Sequence, residues 1–155
     1  MNQRLRVTLP PDWALEPGGA DAPYTFTWRD DRAVGALQFS LGRYKSGKVP
    51  NPSRSDLEQM AFAFGADHNW PRPISQGSGA CTFGQFGLAV FQSVDFSRIQ
   101  LWFLSNGRDF IMVTHTCEGN PLQDEIEAAN QIVLNATLST ATPKRPWWRL
   151  GVGRA

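Results

Sequence analysis

Between positions 98 and 117 the chain runs Arg-Ile-Gln-Leu-Trp-Phe-Leu-Ser-Asn-Gly-Arg-Asp-Phe-Ile-Met-Val-Thr-His-Thr-Cys, and no other stretch restricts the fold so tightly. Two apolar runs flank Asn106-Gly107, a dipeptide suited to a type I′ turn because both central residues of that turn need positive φ. The spacing predicts a hairpin with strands over 98–104 and 108–117. Read as a two-residue loop, it sets Phe103 opposite Phe110, Trp102 opposite Ile111, Leu101 opposite Met112 and Arg98 opposite His115. Phe110 to Val113 are apolar on both faces, so the sheet is expected to be covered on each side rather than open to water on one.

The rest of the chain supplies partners and cover. Residues 80–86 and 88–95 read as two further strands just ahead of the hairpin. Residues 4–9 read as a short first strand, stopped by Pro10-Pro11-Asp12, with Trp13 as an anchor against the core. The loop 16–23 holds Gly18-Gly19. Tyr24-Thr-Phe-Thr-Trp28 alternates as a strand with one buried face. Residues 35–44 follow, with Leu37, Phe39 and Leu41 on one side and Gln38 and Ser40 on the other, and the two strands predict a second hairpin.

A helix opens at Ser53 or Ser55, because Ser53…Asp56 and Ser55…Glu58 both have capping-box spacing. Leu57, Met60, Ala61 and Phe64 form its apolar stripe, and Gly65 is expected to end it. The polar segment 66–79 carries Trp70-Pro-Arg-Pro73, held extended or turned by its prolines. A second helix has Asn120 as cap, Pro121 at its first position, and Asp124, Glu125 and Glu127 near the positive end of its dipole. Leu122, Ile126, Ala129, Val133 and Ala136 make its stripe. These elements predict an α+β fold, an α/β/α sandwich with a central, mostly antiparallel sheet of about six or seven strands and two main helices. Residues 1–142 form a single domain and residues 143–155 a separate tail.

In this order the chain resembles the PsbP-like superfamily, including the bacterial DcrB-like proteins. The residues that carry the resemblance are Leu9-Pro-Pro-Asp-Trp13 after an opening strand, a hairpin, the helix 55–64, Gly87-Leu-Ala-Val-Phe91, the Trp102…Asn106-Gly107 hairpin, Thr114 to Thr116, and a final helix over 125–138. The resemblance spans about residues 4 to 138. It implies an α/β/α sandwich and a role in binding other proteins, since members serve as photosystem subunits, as a small-GTPase nucleotide-release factor and as chaperones for type VI secretion effectors. It supplies no catalytic residue. The chain departs from the lipoprotein members in lacking an N-terminal signal and a lipobox cysteine.

Composition and charge narrow the function. With 155 residues, 41% of them hydrophobic and 19% charged, the chain is globular. No stretch approaches the roughly 20 apolar residues of a membrane span, and the start shows no secretory signal, so the expected location is cytoplasmic. Residues 143–155 hold Lys144, Arg145, Arg149 and Arg154 and no acid, leaving eleven bases against fourteen acids in the first 142 residues. A mildly acidic body argues against nucleic acid as a partner.

Motifs for chemistry are sparse. His115 and Cys117 share one strand face, but a zinc site needs three or four ligands at tight spacing, and no second motif joins them, so neither metal nor cofactor is expected. Cys81 and Cys117 read as buried free thiols, with a bridge between neighbouring strands as the alternative. There is no Gly-x-Ser-x-Gly elbow, Asp67-His68 are adjacent within a loop, and Gly77-Ser-Gly79 precedes a strand rather than a helix. Asp30-Asp31 belong to a turn, and the acids of the second helix are explained by its dipole.

Two features point outward. Trp70 beside Arg72 is a pairing enriched at binding hot spots, against the alternative that Trp70 covers one end of the sandwich. Trp147, Trp148 and Arg149, within Lys144-Arg-Pro-Trp-Trp-Arg149, suit a protein partner, an anionic surface or docking on the chain's own acidic body. The leading expectation is a non-enzymatic protein that binds another protein, as a chaperone or adaptor for a secreted effector or as an immunity protein, without stable membrane insertion. Two others compete with it: a small-ligand binder or enzyme with a pocket lined by Trp28, Trp70 or His115, and a homodimer joined through edge strands.

Overall fold

The computed structural model describes residues 3–18 and 23–140. In chain order it contains β1 (Gln3–Arg6), β2 (Trp13–Leu15), β3 (Tyr24–Trp28), β4 (Gly35–Gly42), α1 (Arg54–Asp67), β5 (Ser75–Cys81), β6 (Gly84–Phe91), β7 (Arg98–Ser105), β8 (Phe110–Cys117), α2 (Gln123–Leu134) and β9 (Thr137–Thr140). Seven strands form one antiparallel sheet in the order β2-β3-β4-β8-β7-β6-β5, and β1 and β9 pair separately. The expected α+β architecture is present.

The β7–β8 hairpin forms where the sequence places it but closes differently. Ser105 lies opposite Phe110 and Trp102 opposite Val113, so the loop holds four residues rather than two. Side chains set that length. Asn106 Oδ1 accepts from the N–H groups of Arg108 and Asp109 at 3.0 and 2.8 Å, while Ser105 Oγ takes the Gly107 N–H and donates to the Asp109 carbonyl. The register slips by two residues, and because strand side chains alternate with period two, every face assignment survives. Arg98 faces Cys117, and His115 faces Gln100 and Leu37.

Each face of the sheet has its own core. Leu37, Phe39, Trp102, Leu104, Ile111 and Val113 pack against Ala129, Ile132, Val133 and Ala136 of α2 and its exit. The β1–β9 ribbon joins this layer through Leu5, Val7, Leu9 and Leu138. Residues 137 and 138, expected to end the second helix, instead open the strand Thr137–Thr140; Thr-Leu-Ser-Thr is a β-type sequence, and Asn135 caps the helix before it. On the opposite face Ala89, Phe91, Ile99 and Leu101 pack with Ala61 of α1. Helix α1 lies over β5, β6 and β7. It does not extend across β3, β4 and β8, whose residues on that side, Thr25, Thr27, Gln38, Ser40, Thr114 and Thr116, are half-buried or exposed. The expectation of cover on each side therefore holds in part: α2 shares its side with the β1–β9 ribbon, and α1 leaves β3, β4 and β8 uncovered on the other.

Helix α1 starts at the Ser53–Asp56 capping box, in which Ser53 Oγ accepts from the Asp56 N–H and the Asp56 carboxylate from the Ser53 N–H. Gly65 does not end it. It is buried in the last turn, where a Cβ would stand 2.3 Å from Cε1 of Phe91. Gly87 of β6 is the matching contact from below, since a Cβ there would meet Glu58 N at 2.0 Å and Leu57 C at 2.3 Å. Two glycines thus let helix and strand touch. Strand β5, hidden in the sequence as part of a polar segment, is an edge strand whose Ser, Gln and Gly residues need no burial.

Gly87→Ala is expected to lower stability in urea unfolding by about 1–3 kcal/mol, because backbone cannot yield to a new methyl. Gly77→Ala, whose methyl would meet only Leu88 at 3.8 Å, should be neutral or stabilising by up to about 1 kcal/mol. Equal losses at both positions would contradict the close approach.

Candidate functional site

Helix α1 ends in a Schellman motif that decides where Trp70 goes. His68 is the C-cap, and Asn69 follows in the left-handed region at φ 57°. Trp70 N–H donates to the Gly65 carbonyl and Asn69 N–H to that of Ala66, both at 3.0 Å. This pattern turns the chain back on the helix and brings the residue after the left-handed one against the last apolar turn. Trp70 accordingly sits 5.8 Å from Phe64 and 5.3 Å from Phe91, ring centre to ring centre. His68 stacks on Phe64 at 4.1 Å and lies 5.2 Å from Trp70, and Phe103 extends the aromatic cluster beneath.

Facing this cluster is the β6–β7 loop. Ser93 N–H donates to the Phe96 carbonyl and Phe96 N–H to Ser93 Oγ, so Val94 and Asp95 form the tip of a closed turn. Val94 is fully exposed. Between the two walls lies an open cleft of about 540 Å³ lined by His68, Asn69, Trp70, Pro71, Gln92, Ser93, Val94 and Asp95. Its size suits a small molecule or a few side chains of a polypeptide. Trp70 is half-buried, covering the α1-side core with part of its ring and lining the cleft as well.

Of the described residues expected to bind a partner, Trp70 stands in the cleft and Arg72 does not. Arg72 is exposed on the connection to β5 and is not part of the lining. Trp147, Trp148 and Arg149 lie outside the described residues. Of the three residues expected as alternatives to line a pocket, Trp70 lines the cleft, whereas Trp28 packs on the α2-side core under Arg32 and His115 is fully buried. Sequence reasoning missed the β6–β7 loop. It also missed the cap, whose signal was Asn69 ahead of Pro71.

A second polar cluster is internal. Glu125, expected near the positive end of the helix dipole, is in the first turn of α2, which begins at Gln123 with Leu122 rather than Asn120 as N-cap, and it is fully buried because it lies on the same helix face as Ala129 and Ile132. Its two carboxylate oxygens accept from the Val34 and Gly35 N–H groups at 3.0 Å each, and one lies 3.5 Å from His115 Nε2. Burial pushes this carboxyl up, but the contact with His115 and the two backbone donors outweigh burial and hold it below the usual glutamate range. A Cβ on Gly35 would strike His115 Nε2 at 2.4 Å, so β4, β8 and the helix meet with no spare volume.

Cys117 Sγ is 3.8 Å from His115 Nε2, an order of thiol, imidazole and carboxylate that superficially matches nucleophilic catalysis. The chemistry opposes it. Burial, with the Glu125 carboxylate beside it, pushes the Cys117 thiol up to about 11 despite Arg98. Both residues are inaccessible to a substrate. Cys81 is also pushed up by burial, and both cysteines are free, three strand positions apart across the sheet. Among the described residues no three His, Cys, Asp or Glu side chains are placed to hold a metal ion, and no helix is long and apolar enough to cross a membrane.

No protein-family model and no curated protein matches the chain. Solved structures do share its fold. LpqN, involved in cell envelope biogenesis of Mycobacterium tuberculosis, is similar at 15% identity and a TM-score of 0.51, over 90% of this chain and 85% of that one. A crystal structure from Bacteroides thetaiotaomicron is similar at 16% identity and a TM-score of 0.51 over 92% of this chain. The chain spans 47% of that protein's length.

Removing the Glu125 carboxylate strands two backbone donors and a histidine, so Glu125→Ala should cost about 3–5 kcal/mol in urea unfolding. A carboxyl held low in the folded state stabilises fully above its unfolded value of about 4.3 and loses that contribution as pH falls through the folded value. The stability gap between the wild-type chain and Glu125→Gln should therefore narrow as pH is lowered from about 5. A gap that is constant with pH would contradict the ionised, bonded carboxylate.

Proposed function

We propose that the chain is a non-enzymatic binding protein that engages another protein through the cleft between the end of α1 and the β6–β7 loop. The observation that carries this reading is an aromatic cluster, half-exposed at Trp70, facing a fully exposed valine across an open cleft. An apolar tip beside an accessible tryptophan has the composition of a protein contact, in which few aromatic anchors hold most of the binding energy. The high, buried thiols and the internal use of Glu125 and His115 support a role without catalysis. The PsbP-like resemblance favours the same class, as a chaperone or adaptor for a secreted effector or as an immunity protein. LpqN's part in cell envelope biogenesis makes envelope fractions as worthwhile a source of partners as cytoplasmic ones. The cleft's size also supports a second reading, a small-ligand binder at the same place.

Affinity capture from the native host, with identification by mass spectrometry, tests both readings. The wild-type chain should retain a defined protein, and Trp70→Ala and Val94→Ala, each folded by circular dichroism, should retain it at least about tenfold less, as expected of hot-spot truncations. Equal retention by all three chains, or turnover of a small molecule with no stable partner, would refute the protein-binding reading.

A further inference from the structure

The charges around the cleft narrow what it receives. Asp95 puts a carboxylate on one rim, and Asp67 is the last residue of α1 behind the other. Among the described residues no basic side chain forms an ion pair with either. The 14-residue helix points its C-terminal end, the negative pole of its dipole, toward this region, and its last turn contains no basic residue to offset it. His68 is tied down by its own helix, its Nδ1 donating to the Phe64 carbonyl at 2.8 Å. Trp70 contributes an electron-rich aromatic face. Loop residues Gln92, Ser93 and Val94 bring no cation.

Resting on the protein-binding reading, we propose that the cleft takes a lysine or arginine side chain of the partner polypeptide. Its methylene stem lies along Trp70 and Val94, and its charged head meets the Asp95 carboxylate. Such side chains bury their stems while holding the head in a polar setting, which matches an aromatic wall with an acidic rim. Asp95 thereby becomes a specificity residue, since it selects charge where Trp70 and Val94 select shape.

The test is an NMR titration of the full chain with blocked pentapeptides Gly-Ser-Xaa-Ser-Gly in which Xaa is lysine, arginine, norleucine or glutamate. The lysine and arginine peptides should give saturable shifts at the Trp70 indole N–H and the Val94 and Asp95 amides, and norleucine should bind at least about fivefold more weakly. Trp70→Ala and Asp95→Asn should each weaken the cationic peptides about fivefold, and added salt should weaken them further. Absence of saturable shifts, equal binding of norleucine, or an unchanged Asp95→Asn would overturn the proposal. A captured protein that depends on Trp70 and Val94 but not on Asp95 overturns the cationic anchor and leaves the protein-binding reading standing. Lysine-peptide binding with no protein captured overturns the protein-binding reading, and the polypeptide source with it.

Discussion

Helix α1 approaches β6 so closely that no side chain fits between them at Gly87, and much of the outer surface follows from that contact. A methyl group there would overlap the helix backbone at Glu58. One turn from its other end the helix repeats the approach, with Gly65 set against the ring of Phe91. Close packing leaves such a helix little freedom to slide or roll. Its last turn must then arrive above Phe91, and the Schellman cap delivers Trp70 to that ring. The cleft is the space left between this fixed helix end and the closed turn after β6. An exposed site is thereby built on rigid elements, the condition under which a small apolar anchor can select a partner.

The opposite layer is held by different physics. There a buried carboxylate joins α2 to the β3–β4 connection and to His115 on β8. A buried charge is tolerated only when its lone pairs are satisfied, and Glu125 receives two backbone donors and a ring nitrogen. Titratable groups that elsewhere serve a reaction are here consumed in cohesion.

How much of this was legible in the sequence depended on what each residue must do. Strands with one buried face, such as Tyr24 to Trp28 and Leu37 to Leu41, announced themselves because burial imposes a period of two. Edge strand β5 did not, since Ser-Gln-Gly-Ser-Gly has no face to bury. The two-residue slip in the β7–β8 register came from Asn106 and Ser105 hydrogen-bonding their own loop, a choice that the Asn-Gly dipeptide alone does not encode. Glu125 was misread because an acid in a first helical turn has a sufficient local explanation, although its spacing from Ala129 and Ile132 places it on the buried face. Trp70 was identified as a binding candidate from its neighbours. Its place in the cleft depended on Asn69 adopting a left-handed backbone, a role for which glycine is the stronger signal.

The most direct measurement of where this protein works is amide hydrogen exchange on the chain with and without a captured partner. Binding at the cleft should slow exchange at residues 67–70 and 92–95 and leave edge strand β5 and the threonine-lined surface of β3 and β4 unchanged. Protection of either of those surfaces, with the end of α1 exchanging as in the free chain, would contradict it.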